Sequence, residues 1–369
     1  MSLIKSFFIG IMLFIPFLKT YASGLKDSVS VGYDFYADNN DVQVYSPTFA
    51  LMKTISKHWL IGFKMRIDAI AAASIRNGSS PKRVDTVAGA SDTSTFGDIR
   101  YAPTFLVAYD DGKNAFSGGG YYSKEDDYDG KAFFASYVRQ LNADNTAIGI
   151  GFSQSFDKWS PIFKRDLPKD NRDEQKIDIS INQLLTPKAS IQFVYSYMSS
   201  EGFLSSPYHY ILQTKLSKFE KYPNTRQGNA FAFKGVYLLN DENSMNYSYR
   251  FYNDDWDISS HTISAEWLHD FSDDLIIGTR VRYYTQTKSN FAKDVGTYSL
   301  DDKYFAVDYR MSAFNSFDIG IPIIYFYDDY KLSLSVDYYQ TSTNDYIQAW
   351  QQKDNIKAVY TSFNIDYDF

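Results

Sequence analysis

The chain contains no cysteine. Disulfides, thiol nucleophiles, Cys-based metal centres and a lipid-anchored cysteine are all excluded by that one absence. Histidine is scarce, with four residues in 369, and neither HExxH nor GxSxG occurs, so the best-marked hydrolase signatures are missing. Beyond residue 22 no apolar run is long enough to cross a bilayer as a helix. Positive charge is also in deficit. The formal net charge is -7, and loss of Lys5 and Lys19 with the leader described below makes it two units more negative. Such a balance argues against nucleic acid as a partner.

Aromatic residues are abundant instead, with 32 Tyr and 29 Phe dominating an 18% aromatic share. The mean hydropathy is nevertheless only -0.36. A transmembrane barrel reconciles the two, because it hides apolar residues at every second position and sets aromatics at both membrane interfaces. The opening "MSLIKSFFIGIMLFIPFLKTYASG" carries Lys5, an apolar run from Phe7 to Leu18, and the small-x-small site Thr20-Tyr21-Ala22. That layout is a secretory signal peptide over residues 1–22, which leaves 23–369 as the mature domain.

The mature chain alternates. At its end Val359, Thr361, Phe363, Ile365, Tyr367 and Phe369 form one set, and Ala358, Tyr360, Ser362, Asn364, Asp366 and Asp368 the other. A strand turns successive side chains to opposite faces, so one face is oily and the other wet. Val29/Val31/Tyr33/Phe35, Ile61/Phe63/Met65/Ile67, Ile177/Ile179/Ile181 and Leu332/Leu334/Val336/Tyr338 repeat the pattern. No stretch sustains a helical period. A soluble β-sandwich or propeller would also alternate, but would not need an export signal, aromatic-tipped strands and a terminal Phe.

Short polar connections alternate with mostly longer ones. The short set is "SKHW" (56–59), "DDGK" (110–113), "NADN" (142–145), "TPKA" (186–189), "NDEN" (240–243), "FSDD" (271–274) and "YDDY" (327–330). The other set comprises 71–94, 157–173, 200–225, 288–302 and 343–356, with only 124–130 and 253–257 brief. Outer-membrane barrels keep tight turns on the periplasmic side and longer loops outside. Both termini then fall on the tight-turn side, which demands an even strand number, about 16, with 14 and 18 as neighbouring values. The expectation is an all-β, antiparallel up-and-down barrel in the bacterial outer membrane. Its last strand closes against Val29–Phe35, and Phe363, Tyr367 and Phe369 supply the aromatic end that the assembly machinery recognises in such barrels. Residues 303–327 read either as one long strand or as two with a break near Asn315.

If aromatics face lipid, the opposite residues face the lumen. These include Lys64, Arg66, Asp68, Asp98, Arg100, Asp178, Arg250, Glu266, Arg280, Arg282, Asp308, Arg310 and Asp337. Arg or Lys on the lipid face near the midplane would cost about 2–4 kcal/mol, which explains their side. Arg250, Glu266, Arg280 and Arg282 should meet at similar depth, as a charged constriction or as a ladder that only satisfies polar groups. Among the histidines (His58, His209, His261, His269), His261 follows Ser259 and Ser260, but neighbours on a strand point apart and make no nucleophile–base pair. "KEDDYDG" (124–130) crowds carboxylates without the spacing of a calcium loop, and no metal or other cofactor is expected.

"IDAIAAAS" (67–74), "VDTVAGAS" (84–91), "SKEDDYDG" (123–130), "SSPYHY" (205–210), "YRFYNDDWDISSHT" (249–262), "RYYTQT" (282–287) and "DYRMSAF" (308–314) resemble a porin-like family of bacterial outer-membrane barrels filed as a domain of unknown function. The resemblance implies the barrel and its location, and no catalytic residue. Family members occur near genes for flavin-transfer and thioredoxin-like proteins, which implies redox-related partners. The expected function is a porin-like channel for unassigned small solutes. A non-conducting scaffold docking periplasmic or surface partners ranks second and an outer-membrane hydrolase third. The expected surroundings are outer-membrane lipid and lipopolysaccharide, and no enzyme activity is assigned.

Overall fold

The computed structural model describes residues 25–39, 42–71, 98–125, 128–159, 170–205, 210–213, 216–293, 297–299, 301–306, 308–345 and 355–369. Residues 1–24, which include the expected signal peptide, almost all of 71–94, and His209 lie outside the described residues, as does the side chain of Asp98.

Among the described residues eighteen strands follow in order: β1 Ser28–Asp38, β2 Gln43–Ser56, β3 Trp59–Ala71, β4 Asp98–Asp110, β5 Asn114–Lys124, β6 Tyr128–Leu141, β7 Thr146–Trp159, β8 Asp170–Thr186 and β9 Ala189–Gly202. Then come β10 Tyr210–Gln213, β11 Leu216–Phe219, β12 Thr225–Leu238, β13 Asn243–Asp254, β14 Ser259–Ser272, β15 Leu275–Gln286, β16 Ala313–Tyr327, β17 Tyr330–Asp345 and β18 Lys357–Asp368. All but β10 and β11 form one closed barrel of consecutive neighbours, sealed where β1 meets β18. That makes 16 barrel strands; β10 and β11 pair only with each other, in the β9–β12 connection. Closure is antiparallel, from Ser28 opposite Asp368 to Asp38 opposite Ala358.

The seven short turns all lie at the end of the barrel that holds both termini. Their chemistry is local. Asp111 accepts from the backbone N–H groups of Lys113 and Asn114 at 2.9 and 2.7 Å, and Gly112 takes the positive φ of 85° that this turn needs. At the other end a third brief connection, 39–42, joins β1 to β2, so 124–130 and 253–257 are not alone. Asp38 secures it by accepting from Val42 N–H at 3.2 Å.

The outer face is oily. Phe105, Val31, Ile150, Ile179, Phe231, Ile263 and Ile321 are among the exposed large side chains. Removing one such side chain from water is worth about 1.5–3 kcal/mol, so a surface of this kind is stable only under hydrocarbon. Trp59, Tyr109 and Phe116 and, further round, Trp267, Phe271, Tyr330 and Phe369 line the tight-turn end as an interfacial aromatic belt. Phe369 stacks on Tyr367 at 5.7 Å and lies under Lys53 at 5.4 Å, while Phe363 and Tyr367 share its outward face. Lys53 also binds Asp27, and with Thr54 N–H it holds that carboxyl below the usual carboxylate range.

Residues 303–327 match neither sequence reading. β16 starts only at Ala313, with a register shift between Ala313 and Asn315. Before it, Tyr309–Met311 form one 3-10 turn, because Asp308 accepts from Arg310 N–H at 2.9 Å and caps the turn. Asp308 and Arg310 therefore do not stand on a strand wall as expected; they pair with each other within the β15–β16 connection.

An inward-facing charged wall and its loop cap

Parity puts Lys64, Arg66, Asp68, Arg100, Asp178, Arg250, Glu266, Arg280, Arg282 and Asp337 on the inner face, opposite the exposed apolar set. The register then decides which of them meet. Glu266 on β14 stands opposite Arg280 on β15, Arg280 opposite Gly320 on β16, and Gly320 opposite Asp337 on β17. Across the glycine, one Arg280 nitrogen reaches both Asp337 oxygens at 2.7 and 2.9 Å, and the other nitrogen reaches Glu266 at 3.4 Å. A side chain at 320 would block this, since its Cβ would fall 1.9 Å from Asp337 Oδ1. Arg282 pairs with Asp318 at 2.9 Å. Arg250 stands opposite Thr262, so it is staggered toward the loop end rather than level with Arg280, and its guanidinium lies 5.3 Å from the Tyr252 ring.

A second group continues past the seam. Arg66 on β3 bridges Asp34 of β1 at 2.7 Å and Asp68 at 2.9 Å, and Arg100 Nε of β4 reaches Asp68 at 2.6 Å. Ser46 donates to the same Asp68, which is only 1% exposed. Glu125 sits 3.8 Å from Arg100, and Lys124 takes Asp129 at 2.6 Å, so two carboxylates of the acidic loop already have cationic partners. Asp126 and Asp127 lie outside the described residues. Asp178 pairs with Lys176 at 2.9 Å and accepts from Ser196. Asp34 and Asp318 escaped the sequence reading, although Val31/Tyr33/Phe35 and Phe317/Ile319/Ile321 mark them by parity as inward.

The loop end is not open all round. The β9–β12, β13–β14 and β15–β16 connections pack together over inner-face residues Ala230 and Tyr252. Trp256 is their hub. Its ring meets Phe291 at 5.0 Å and Tyr222 at 5.7 Å edge-on, and its indole N–H donates to Thr225 O at 2.9 Å. Backbone bonds lock the layers, with Lys221 and Phe305 exchanging both, at 3.1 and 2.8 Å, and Ser289 N–H reaching Met311 O at 2.8 Å. Phe305, Ala306 and Asp308 are fully buried. The described part of 200–225 thus packs over the inner wall at the loop end.

The three described histidines stand apart from this wall and cap. His261 faces outward beside Tyr249 at 2.7 Å while Ser260 faces inward, His58 Nδ1 meets Asp110 O at 2.8 Å, and His269 contacts Asn243 at 3.1 Å.

A closed β-barrel with a hydrocarbon-compatible exterior and a charged interior is an outer-membrane β-barrel, and the protein resides in the bacterial outer membrane. The chain belongs to the family described as protein of unknown function DUF3570, whose model matches residues 18–367. Among solved structures it is similar to a bacterial polysaccharide outer membrane secretin (TM-score 0.52, 7% identity, 94% of this chain and 99% of that one). It is also similar to CdiB from Acinetobacter baumannii (TM-score 0.51, 9% identity, 93% of this chain and 60% of that one). The CymD monoaromatic hydrocarbon channel aligns over 95% of this chain and 90% of its own, at 7% identity and a TM-score of 0.46. At such identities the likeness concerns the fold alone. No curated protein matches the sequence.

Proposed function

We propose that the barrel is a passive, weakly selective channel for small polar solutes. The observation that carries this reading is the polar, sign-balanced inner wall. Cations paired with carboxylates line it all round, among them Arg66–Asp34, Arg280–Asp337, Arg282–Asp318, Arg172–Asp157 and Lys176–Asp178, and on β7–β12 they are set among the small residues Gly149, Gly151, Ser153, Ser180, Ser196 and Ala232. Small side chains leave room for water in a barrel of this strand number, and the ion pairs border that space. The pairs are balanced in sign, so selectivity between cations and anions is weak. Neutralising Arg280 and Arg282 together tips the balance. The reversal potential across a planar bilayer under a salt gradient should then shift toward cation preference, and an unchanged potential with intact folding would reduce the network to a structural ladder. The loop cap favours a second reading, a non-conducting scaffold that docks periplasmic or surface partners. In either case, Phe363, Tyr367 and Phe369 serve as the recognition end for assembly.

A further inference from the structure

We infer that the inner wall above the Arg280–Asp337 pair carries a shelf that binds the sugar rings of a neutral oligosaccharide. Tyr36 of β1, Tyr360 of β18, Tyr339 of β17 and Tyr284 of β15 all face inward, at comparable distances from the tight-turn ends of their strands, and all are half-buried. Tyr36 and Tyr360 are direct register partners, and Tyr339 stands opposite Asp318. Phe314 and Tyr309 extend the row toward the cap, with ring centroids 5.5 Å from Tyr284 to Phe314 and 6.2 Å from Phe314 to Tyr309.

The rings are held rather than free. Tyr36 donates its hydroxyl to Asp38 at 2.8 Å, and Tyr284 donates to Gln286 at 2.6 Å. Each acceptor lies two residues on, along the same face. Two residues of strand advance roughly 6.7 Å, close to the reach of a tyrosine hydroxyl, so these rings lie lengthwise along the wall. Directly beside them Arg282 pairs with Asp318 at 2.9 Å and Arg66 with Asp34 at 2.7 Å. A guanidinium has five N–H donors, and a carboxylate accepts more than one bond, so both pairs keep capacity for hydroxyl groups.

This combination selects a chemistry. Balanced ion pairs offer donors and acceptors without net charge, so a small ion gains little. A hydrocarbon would strip water from Arg282 and Asp318 and return no hydrogen bonds. A pyranose satisfies both, because its C–H face lies on an aromatic ring while its vicinal hydroxyls bond to the guanidinium and carboxylate edges. The inference rests on the channel reading only in that the sugar arrives through the lumen.

The test uses the refolded mature chain with maltohexaose as probe. Calorimetric titration in detergent should give saturable heat, and in a planar bilayer the sugar should interrupt single-channel current from either side. Tyr339→Ala and Tyr284→Ala should each weaken binding about 3–10-fold, while Tyr339→Phe, which keeps the ring, should leave it nearly unchanged. Gel mobility with and without heating verifies that each variant is folded. Heat without any current would end the channel reading and leave the shelf standing. Current without heat or interruption would overturn the shelf and leave the channel. Binding of benzoate in place of maltohexaose, or equal binding by the alanine variants, would also overturn it.

Discussion

Replacing Gly320 with alanine should unseat Asp337 and destabilise the barrel by about 1–3 kcal/mol. A methyl group at 320 would lie 1.9 Å from Asp337 Oδ1 and 2.7 Å from its Cγ, where ordinary contacts begin at 3.4 Å. The carboxylate must retreat by roughly 1.5 Å, more than a hydrogen bond tolerates. Arg280 would lose its bonds to both oxygens, and Ser335, which donates to Oδ2 at 2.6 Å, would lose its acceptor. Hydrogen bonds to charged groups contribute about 1.5–3 kcal/mol. Here Arg280 keeps Glu266 and is 39% exposed, which pulls the cost toward the lower end. Alanine otherwise suits a strand better than glycine, so any loss points to the displaced carboxylate. The assay is urea unfolding of the refolded protein in phospholipid vesicles, followed by tryptophan fluorescence. In an Asp337→Ala background the same substitution meets no carboxylate and should cost less than about 0.5 kcal/mol. An equal cost in both backgrounds would refute the argument.

Three further outcomes are expected. Ile179→Arg, on a side chain 44% exposed to lipid, should destabilise by about 2–4 kcal/mol, while Ser180→Arg next to it, facing the lumen, should be far milder in the same unfolding assay. Trp256→Ala removes the hub of the cap, a loss of about 3–5 kcal/mol from that cluster; current traces should become noisier and larger as the loops loosen. Asp111, with its carboxyl lowered to about 2 by the N–H and side chain of Asn114 and the N–H of Lys113, stabilises its turn fully above the ordinary carboxylate range. That contribution fades as pH falls through about 4 to 2, so the wild type should lose more thermal stability over this interval than Asp111→Asn.

Much of the fold is legible in the sequence because lipid enforces a strict rule. Ile177, Ile179 and Ile181 must all point one way, and Asp178 and Ser180 the other, so parity alone assigns faces along every wall. Turn positions are equally visible, since "DDGK" and "NADN" carry their own local bonds. Partners are harder. Arg280 meets Asp337 only because β16 slips a glycine between their strands, and Asp34 meets Arg66 only because β2 places Ser46 and Thr48 between β1 and β3; neither relation is written in any single segment. The stretch "YFAVDYRMSAF" (304–314) shows the opposite failure. It alternates well enough to pass as strand, yet the Asp308 carboxylate captures Arg310 N–H and bends the chain into a turn. The cap is invisible for a related reason. Tyr222, Trp256 and Phe291 belong to three separate connections, and nothing periodic joins them.

The most direct measurement is the single-channel current of the refolded protein, residues 23–369, in a planar lipid bilayer. A water-filled lumen beside the charged wall predicts discrete, ohmic steps that persist at low voltage. A folded, heat-modifiable protein that inserts and passes no current would contradict it.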